Sequence, residues 1–189
     1  MKLTGPCAVI DFRLVAVAGA FVLCVGAPLR AQSAACTSSF AASSKLYDKP
    51  FHLYTIDSAQ TDARLQGGRP TVSEAIWTGT VDYVLVEGKW MKSPIDIATA
   101  RKAAKEAGTK AKATCSHLRD EGVNGEPAAV WRIHSASEVG VSDTDIWISR
   151  SSGLPLKSDV HQDVGGALGK SHIVSRYDYT NVRPPAGVQ

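Results

Sequence analysis

The sequence predicts an α+β domain: a curved, mostly antiparallel sheet of about eight strands, an open half-barrel, covered on one face by two helices. Three observations carry this. Short segments of alternating apolar and polar residues recur along the chain, punctuated by turns rich in Gly and Asn. The connections between them are too short for the helical crossovers that parallel strands need. Two segments, near residues 40 and 100, carry a helical pattern instead. An antiparallel sheet of that size curls strongly, and two helices suffice to cover one of its faces.

In order, a short helix is expected from about Ser38 to Asp48, with Phe40, Ser44 and Tyr47 on one side, and Pro50 stops it. Phe51 to Asp57 alternates as a strand, and the polar stretch Ser58 to Pro70, with Gly67-Gly68, reads as a loop. A strand follows at Thr71 to Trp77. Residues Asp82 to Pro94 form a hairpin, with Tyr83-Val84-Leu85-Val86 and Lys89-Trp90-Met91-Lys92 as arms and Glu87-Gly88 as the turn. Ser93-Pro94-Ile95-Asp96 is read as a helix start, with Ser93 as cap and Asp96 near the positive end of the dipole. That helix ends at Gly108. The remainder is β. Thr114 to Glu121 and Ala128 to Ser135 flank an Asn124-Gly125 turn, and Asp145 to Arg150 turns through Ser151-Ser152-Gly153 into Leu154 to Val160. Glycines 165, 166 and 169 mark a loop before a last strand, Ser171 to Tyr179.

Residues 1–33 read as a cleavable secretory signal. Lys2 and Arg13 supply its charge, and Leu14 to Ala27 is an uncharged apolar run of fourteen residues, short of the roughly twenty that span a bilayer. Cleavage fits near Ser33 to Ala35. Residues 34–189 then form a single domain in the periplasm or outside the cell. Losing Lys2, Arg13, Arg30 and Asp11 takes the net charge from +3 to +1. No basic surface remains to suggest a nucleic-acid partner.

Cys7 and Cys24 leave with the signal. Cys36 and Cys115 remain, and in an oxidising compartment two cysteines most often pair. The alternatives are two buried thiols, or a lipidated Cys36 at the mature N-terminus, although Ser33 stands where a lipidation signal usually carries Leu.

Motifs for catalysis and cofactors do not hold up. Gly165 to Ser171 has the composition of a phosphate loop but the wrong spacing, and it leads into a strand. His161, Asp163 and His172, with Asp159 nearby, are zinc-ligand types. They flank a glycine loop without a ligand spacing, so no metal site is expected. Asp143 and Asp145 read as turn residues rather than paired acid–base carboxylates. There is no Gly-x-Ser-x-Gly elbow. The chain is therefore expected not to be an enzyme and to use no cofactor. The four tryptophans, Trp77, Trp90, Trp131 and Trp147, all fall on expected strands. A packed core is their plainer reading; lining an apolar pocket is the functional one.

Some of these segments resemble a known family. Asp145-Ile146-Trp147-Ile148-Ser149 followed by Ser152-Gly153-Leu154-Pro155-Leu156-Lys157 is similar to a strand–turn–strand of the LolA/LolB-like periplasmic lipoprotein carriers and their small secreted relatives. So are Arg176-Tyr177-Asp178-Tyr179-Thr180-Asn181-Val182 and the hairpin from Tyr83 to Trp90. The resemblance implies an unclosed antiparallel barrel under a helical lid, with an apolar cavity. It also implies a non-enzymatic binder or carrier of a hydrophobic ligand, a lipid or acyl chain, with transient membrane or lipoprotein contact. The arginine that latches the carriers' lid has no counterpart that can be placed here. The expected cavity wall is Trp77, Leu85, Trp131, Ile133, Ile146 and Ile148. A structural or interaction protein of the envelope, its core filled by its own side chains, is the alternative.

Overall fold

The computed structural model describes residues 36–58, 71–102, 112–137, 140–165 and 169–188. The secretory signal expected over residues 1–33 lies outside them, as do most of the loop expected after Asp57 and the expected helix end at Gly108.

Helix α1 spans Thr37–Lys45, and a single 3-10 turn, Leu46–Asp48, continues it to the stop at Pro50. The strands are β1 (Phe51–Asp57), β2 (Thr71–Trp77), β3 (Asp82–Val86), β4 (Lys89–Lys92), β5 (Ala113–Val123), β6 (Glu126–Ser137), β7 (Gly140–Ser149), β8 (Pro155–Asp163) and β9 (Lys170–Asp178). Between β4 and β5 a second helix, α2, is described over 97–102. The strand count is nine rather than eight.

The β1 and β2 boundaries match the sequence expectation. Strands β6 to β8 run longer, because ladder partners extend pairing past the alternating core. Asp143 and Asp145 consequently lie inside β7, opposite His134 and Arg132, rather than in a turn. The second helix starts later than Ser93. The Asp96 carboxylate accepts the Thr99 N–H at 3.0 Å, so Asp96 is the cap, while Ser93 Oγ accepts the Ile95 N–H in the turn before it. Both expected tight turns form. Glu87-Gly88 and Asn124-Gly125 all have positive φ, as the twist of a two-residue hairpin requires.

All described strand pairs are antiparallel, in the order β4-β3-β2-β1-β9-β8-β7-β6-β5. The first and last strands meet in the middle, and the sheet stays open with β4 and β5 as its edges. These two edges are consecutive in sequence, so the segment carrying α2 links opposite sides of the sheet.

Candidate functional site

Register decides which side chains share a face, because directly paired residues point the same way. Trp77 pairs with Phe51, Thr55 with Ser175, Ser175 with Ser158, Ser158 with Ile146, and Ile146 with Trp131. One face therefore carries Trp77, Trp131, Ile133, Ile146 and Ile148. Leu85 does not belong to it. Trp77 pairs with Asp82, which puts Val84 on this face and Leu85 on the other, opposite Trp90. The sequence reading missed this because a continuous apolar run, Tyr83 to Val86, hides the period-two alternation. Of the four tryptophans, Trp77 and Trp131 share the first face, and Trp90 and Trp147 lie on the second.

Helix α1 packs on the first face. Ala42 is buried against Ile146 and Ile148, with Trp131 and Ile133 beside them. A disulfide between Cys36 and Cys115 ties the start of α1 to β5, where Cys115 pairs with Ile133. At the far end of this face Tyr47, Phe51 and Trp77 form an aromatic group, with ring centroids 5.8 Å (Tyr47–Phe51) and 6.2 Å (Tyr47–Trp77) apart. Trp77 Nε1 donates to the Tyr47 carbonyl at 3.3 Å, and Arg101 of α2 donates to the same oxygen.

Between these two apolar groups the sheet face carries Leu53 paired with Tyr177 and, beside them, a row of small hydroxyl residues. Ser73, Thr55, Ser175 and Ser158 lie in one row across β2, β1, β9 and β8. Ser158, Ser175 and Ser142 are buried, as is Ser39 on α1. Thr55 and Ser175 hydroxyls are 3.2 Å apart, while the Ser39 hydroxyl has no hydrogen-bond partner among the described residues. Burial pushes the Tyr177 phenol up to about 12 and raises that of Tyr47 as well. Beside Trp77, burial pushes the Asp82 carboxyl up to about 6.

The other face is charged. Arg132 grips Asp145 with two hydrogen bonds of 2.7 and 2.8 Å, and His134 bonds Asp143 at 2.8 Å. Trp147 lies under Lys157, whose Nζ is 4.1 Å from the ring centroid, with Arg119 also within cation–π reach. With Ala128, Val130 and Leu156 it makes a second apolar cluster, backed by Val123 and Tyr179. The glycine loop at residues 165–169 joins β8 to β9, strand to strand, so no helix follows it to receive a phosphate.

The chain is similar to LolA-superfamily and related lipoprotein structures. It matches the lipoprotein LppX of Mycobacterium tuberculosis at a TM-score of 0.46 and 12% identity, over 79% of this chain and 96% of that one. It matches LprF from Mycobacterium bovis at 0.43 and 10%, over 77% and 93%. It matches a LolA superfamily protein from Nitrosomonas europaea at 0.29 and 9%, over 81% and 96%. No protein-family model and no curated protein sequence matches the chain. Among the described residues no helix is long and apolar enough to cross a membrane.

The zinc-ligand types singled out in the sequence are partly brought together. His161 and His172 pair directly across β8 and β9, and Asp159 stands two residues from His161. Asp163 is engaged elsewhere, accepting the Gly165 N–H at 3.1 Å and standing 3.7 Å from the Lys170 ammonium.

Proposed function

We propose that the protein is an exported, non-enzymatic binder or carrier of a hydrophobic ligand, a lipid or acyl chain, held between α1 and the sheet face beneath it. The observation that carries this reading is the make-up of that face. Two apolar groups, one around Trp131, Ile133, Ile146 and Ile148 and one around Tyr47, Phe51 and Trp77, share that face with a row of small hydroxyl residues, Ser73, Thr55, Ser175 and Ser158, beside which Leu53 and Tyr177 add further apolar area. The buried residues of the helix above, Ser39 and Ala42, are small as well. Apolar walls with a few polar groups are what small-molecule sites are made of. Hydroxyls in that row can bond the ester or hydroxyl of a lipid. Burying apolar area contributes about 25 cal/mol per Å², enough for reversible holding of one acyl chain. The protein would act in the periplasm or outside the cell after cleavage near Ser33 to Ala35, and exchange its ligand at a membrane or with a lipoprotein.

Protein purified with its own signal from its own host tests this by native mass spectrometry and lipid extraction. One acyl-bearing species per chain is expected. Consistently ligand-free protein that also ignores a fluorescent fatty acid would sink the reading. That result would favour the alternative, a structural or interaction protein of the envelope. The aromatic group at the Trp77 end speaks for that alternative, since there the protein's own side chains fill the space.

A further inference from the structure

The geometry points to a second site, on the charged face of the sheet: we propose that Asp159, His161 and His172 bind a divalent transition-metal ion of the zinc class. Each offers one ligand atom, and these three atoms lie within 4.8 Å of one another. The site is built by strand register rather than by a ligand-spaced sequence motif. His161 and His172 are directly paired across β8 and β9, and their rings stack with centroids 4.1 Å apart and only 7° between planes. Asp159 precedes His161 by two residues and so shares its face. Both imidazole Nε2 atoms converge on a single carboxylate oxygen, Asp159 Oδ1, at 2.7 Å from His172 and 3.4 Å from His161.

Comparison with the other histidines shows what is particular here. The chain has five, and all five stand within 4 Å of a carboxylate. His52 faces Glu74, His117 faces Asp120 and His134 faces Asp143, each a single imidazole on a single acid. Among the described residues, only Asp159 gathers two. One imidazole and one carboxylate hold a cation weakly; two imidazoles and a carboxylate are a donor set that zinc, nickel and copper prefer over calcium or magnesium. At metal–nitrogen distances of about 2.1 Å, two Nε2 atoms of one ion sit no more than about 4.2 Å apart, which modest rotation of two stacked rings achieves. The Nε2 proton that His172 shares with Asp159 moves to Nδ1 or leaves to solvent as the ion takes its place.

The backbone supports the arrangement. His161 and His172 sit one pair from Val160–Ile173, inside a continuous ladder, and the His172 carbonyl accepts the Ser58 N–H at 2.8 Å. His161 is open to solvent, while His172 and Asp159 are half-buried, so an ion has an entry path and three protein ligands, with water completing its shell. This face is opposite the one proposed to hold a lipid, and the two sites stand independently.

The test is isothermal calorimetry of untagged, chelator-treated protein with zinc chloride, paired with NMR of the histidine ring protons. One zinc per chain is expected, with the ring signals of His161 and His172 shifting and those of His52, His117 and His134 unmoved. His161→Ala, His172→Ala and Asp159→Asn should each weaken binding at least tenfold, while His134→Ala leaves it unchanged. Thermal unfolding of each variant reports whether it has folded, and the ring shifts of the unmutated protein decide the matter where one has not. Absence of binding heat overturns the proposal, as does zinc that shifts other histidines or binds equally well to the His161→Ala and His172→Ala proteins.

Discussion

Cys36 and Cys115, 79 residues apart, are joined with their α-carbons 5.0 Å from each other, so the helix that lies on the sheet is anchored to an edge strand. Closing a loop that long restricts the unfolded chain and stabilises the fold by up to about 4 kcal/mol in the chain-entropy view. The double variant Cys36→Ser/Cys115→Ser should lose about 2–4 kcal/mol in a denaturant titration. The same protein under reducing agent should match it. A midpoint that reduction leaves unchanged counts against the anchor.

Ile148 is buried where α1 meets the sheet. Replacing it with Ala should cost about 2–4 kcal/mol, from lost transfer energy plus the cavity left behind. A loss under 1 kcal/mol would mean that the helix does not pack there in solution.

Trp131 and Leu85 separate the two faces. If the lipid reading is right, Trp131→Ala should lower affinity for a fluorescent acyl probe about tenfold, or ~1.4 kcal/mol. Leu85→Ala, on the other face, should leave it unchanged. Equal effects from both would place the probe elsewhere.

Asp82 makes stability depend on pH. Burial raises its carboxyl to about 6, while in the unfolded chain it titrates near its ordinary 3.8. Between those values the folded state binds more protons than the unfolded one, so this group's contribution falls as pH rises from about 4 to 6 and is flat above. Allowing for solvent screening at a half-buried site, the change is about 1 kcal/mol. Asp82→Asn should flatten the stability profile across that window; an unchanged slope assigns it to another group.

Gly125 tests the hairpin joining β5 and β6. Its φ is +84°, and a Cβ there would meet no atom within 4 Å, so Gly125→Ala strains only the backbone. The expected cost is about 1 kcal/mol. Gly122→Ala, at a φ outside the left-handed region and with open space, should cost less, and the pair can be compared by thermal unfolding.

Much of the architecture is legible in the sequence because it is set locally. Pro50 ends the first helix, and Asn124-Gly125 and Glu87-Gly88 can only turn tightly. The alternation in Phe51 to Asp57 needs no long-range information. The cysteine pair is legible too, since only two cysteines remain once the expected signal is removed. Four of the expected wall residues, Trp131, Ile133, Ile146 and Ile148, gather under α1. Leu85 went to the wrong face because its strand is apolar on both sides.

Tertiary structure alone decided the rest. That β1 lies beside β9, making the first and last strands neighbours, cannot be read from residues more than a hundred positions apart. The pairing of His161 with His172, and the choice of Asp159 over Asp163 as their partner, depends on ladder register across a glycine loop. A shift of one residue would send each side chain to the opposite face. Local sequence sets turns and periods; which rows of side chains then meet is settled by the cooperative pairing of the whole sheet.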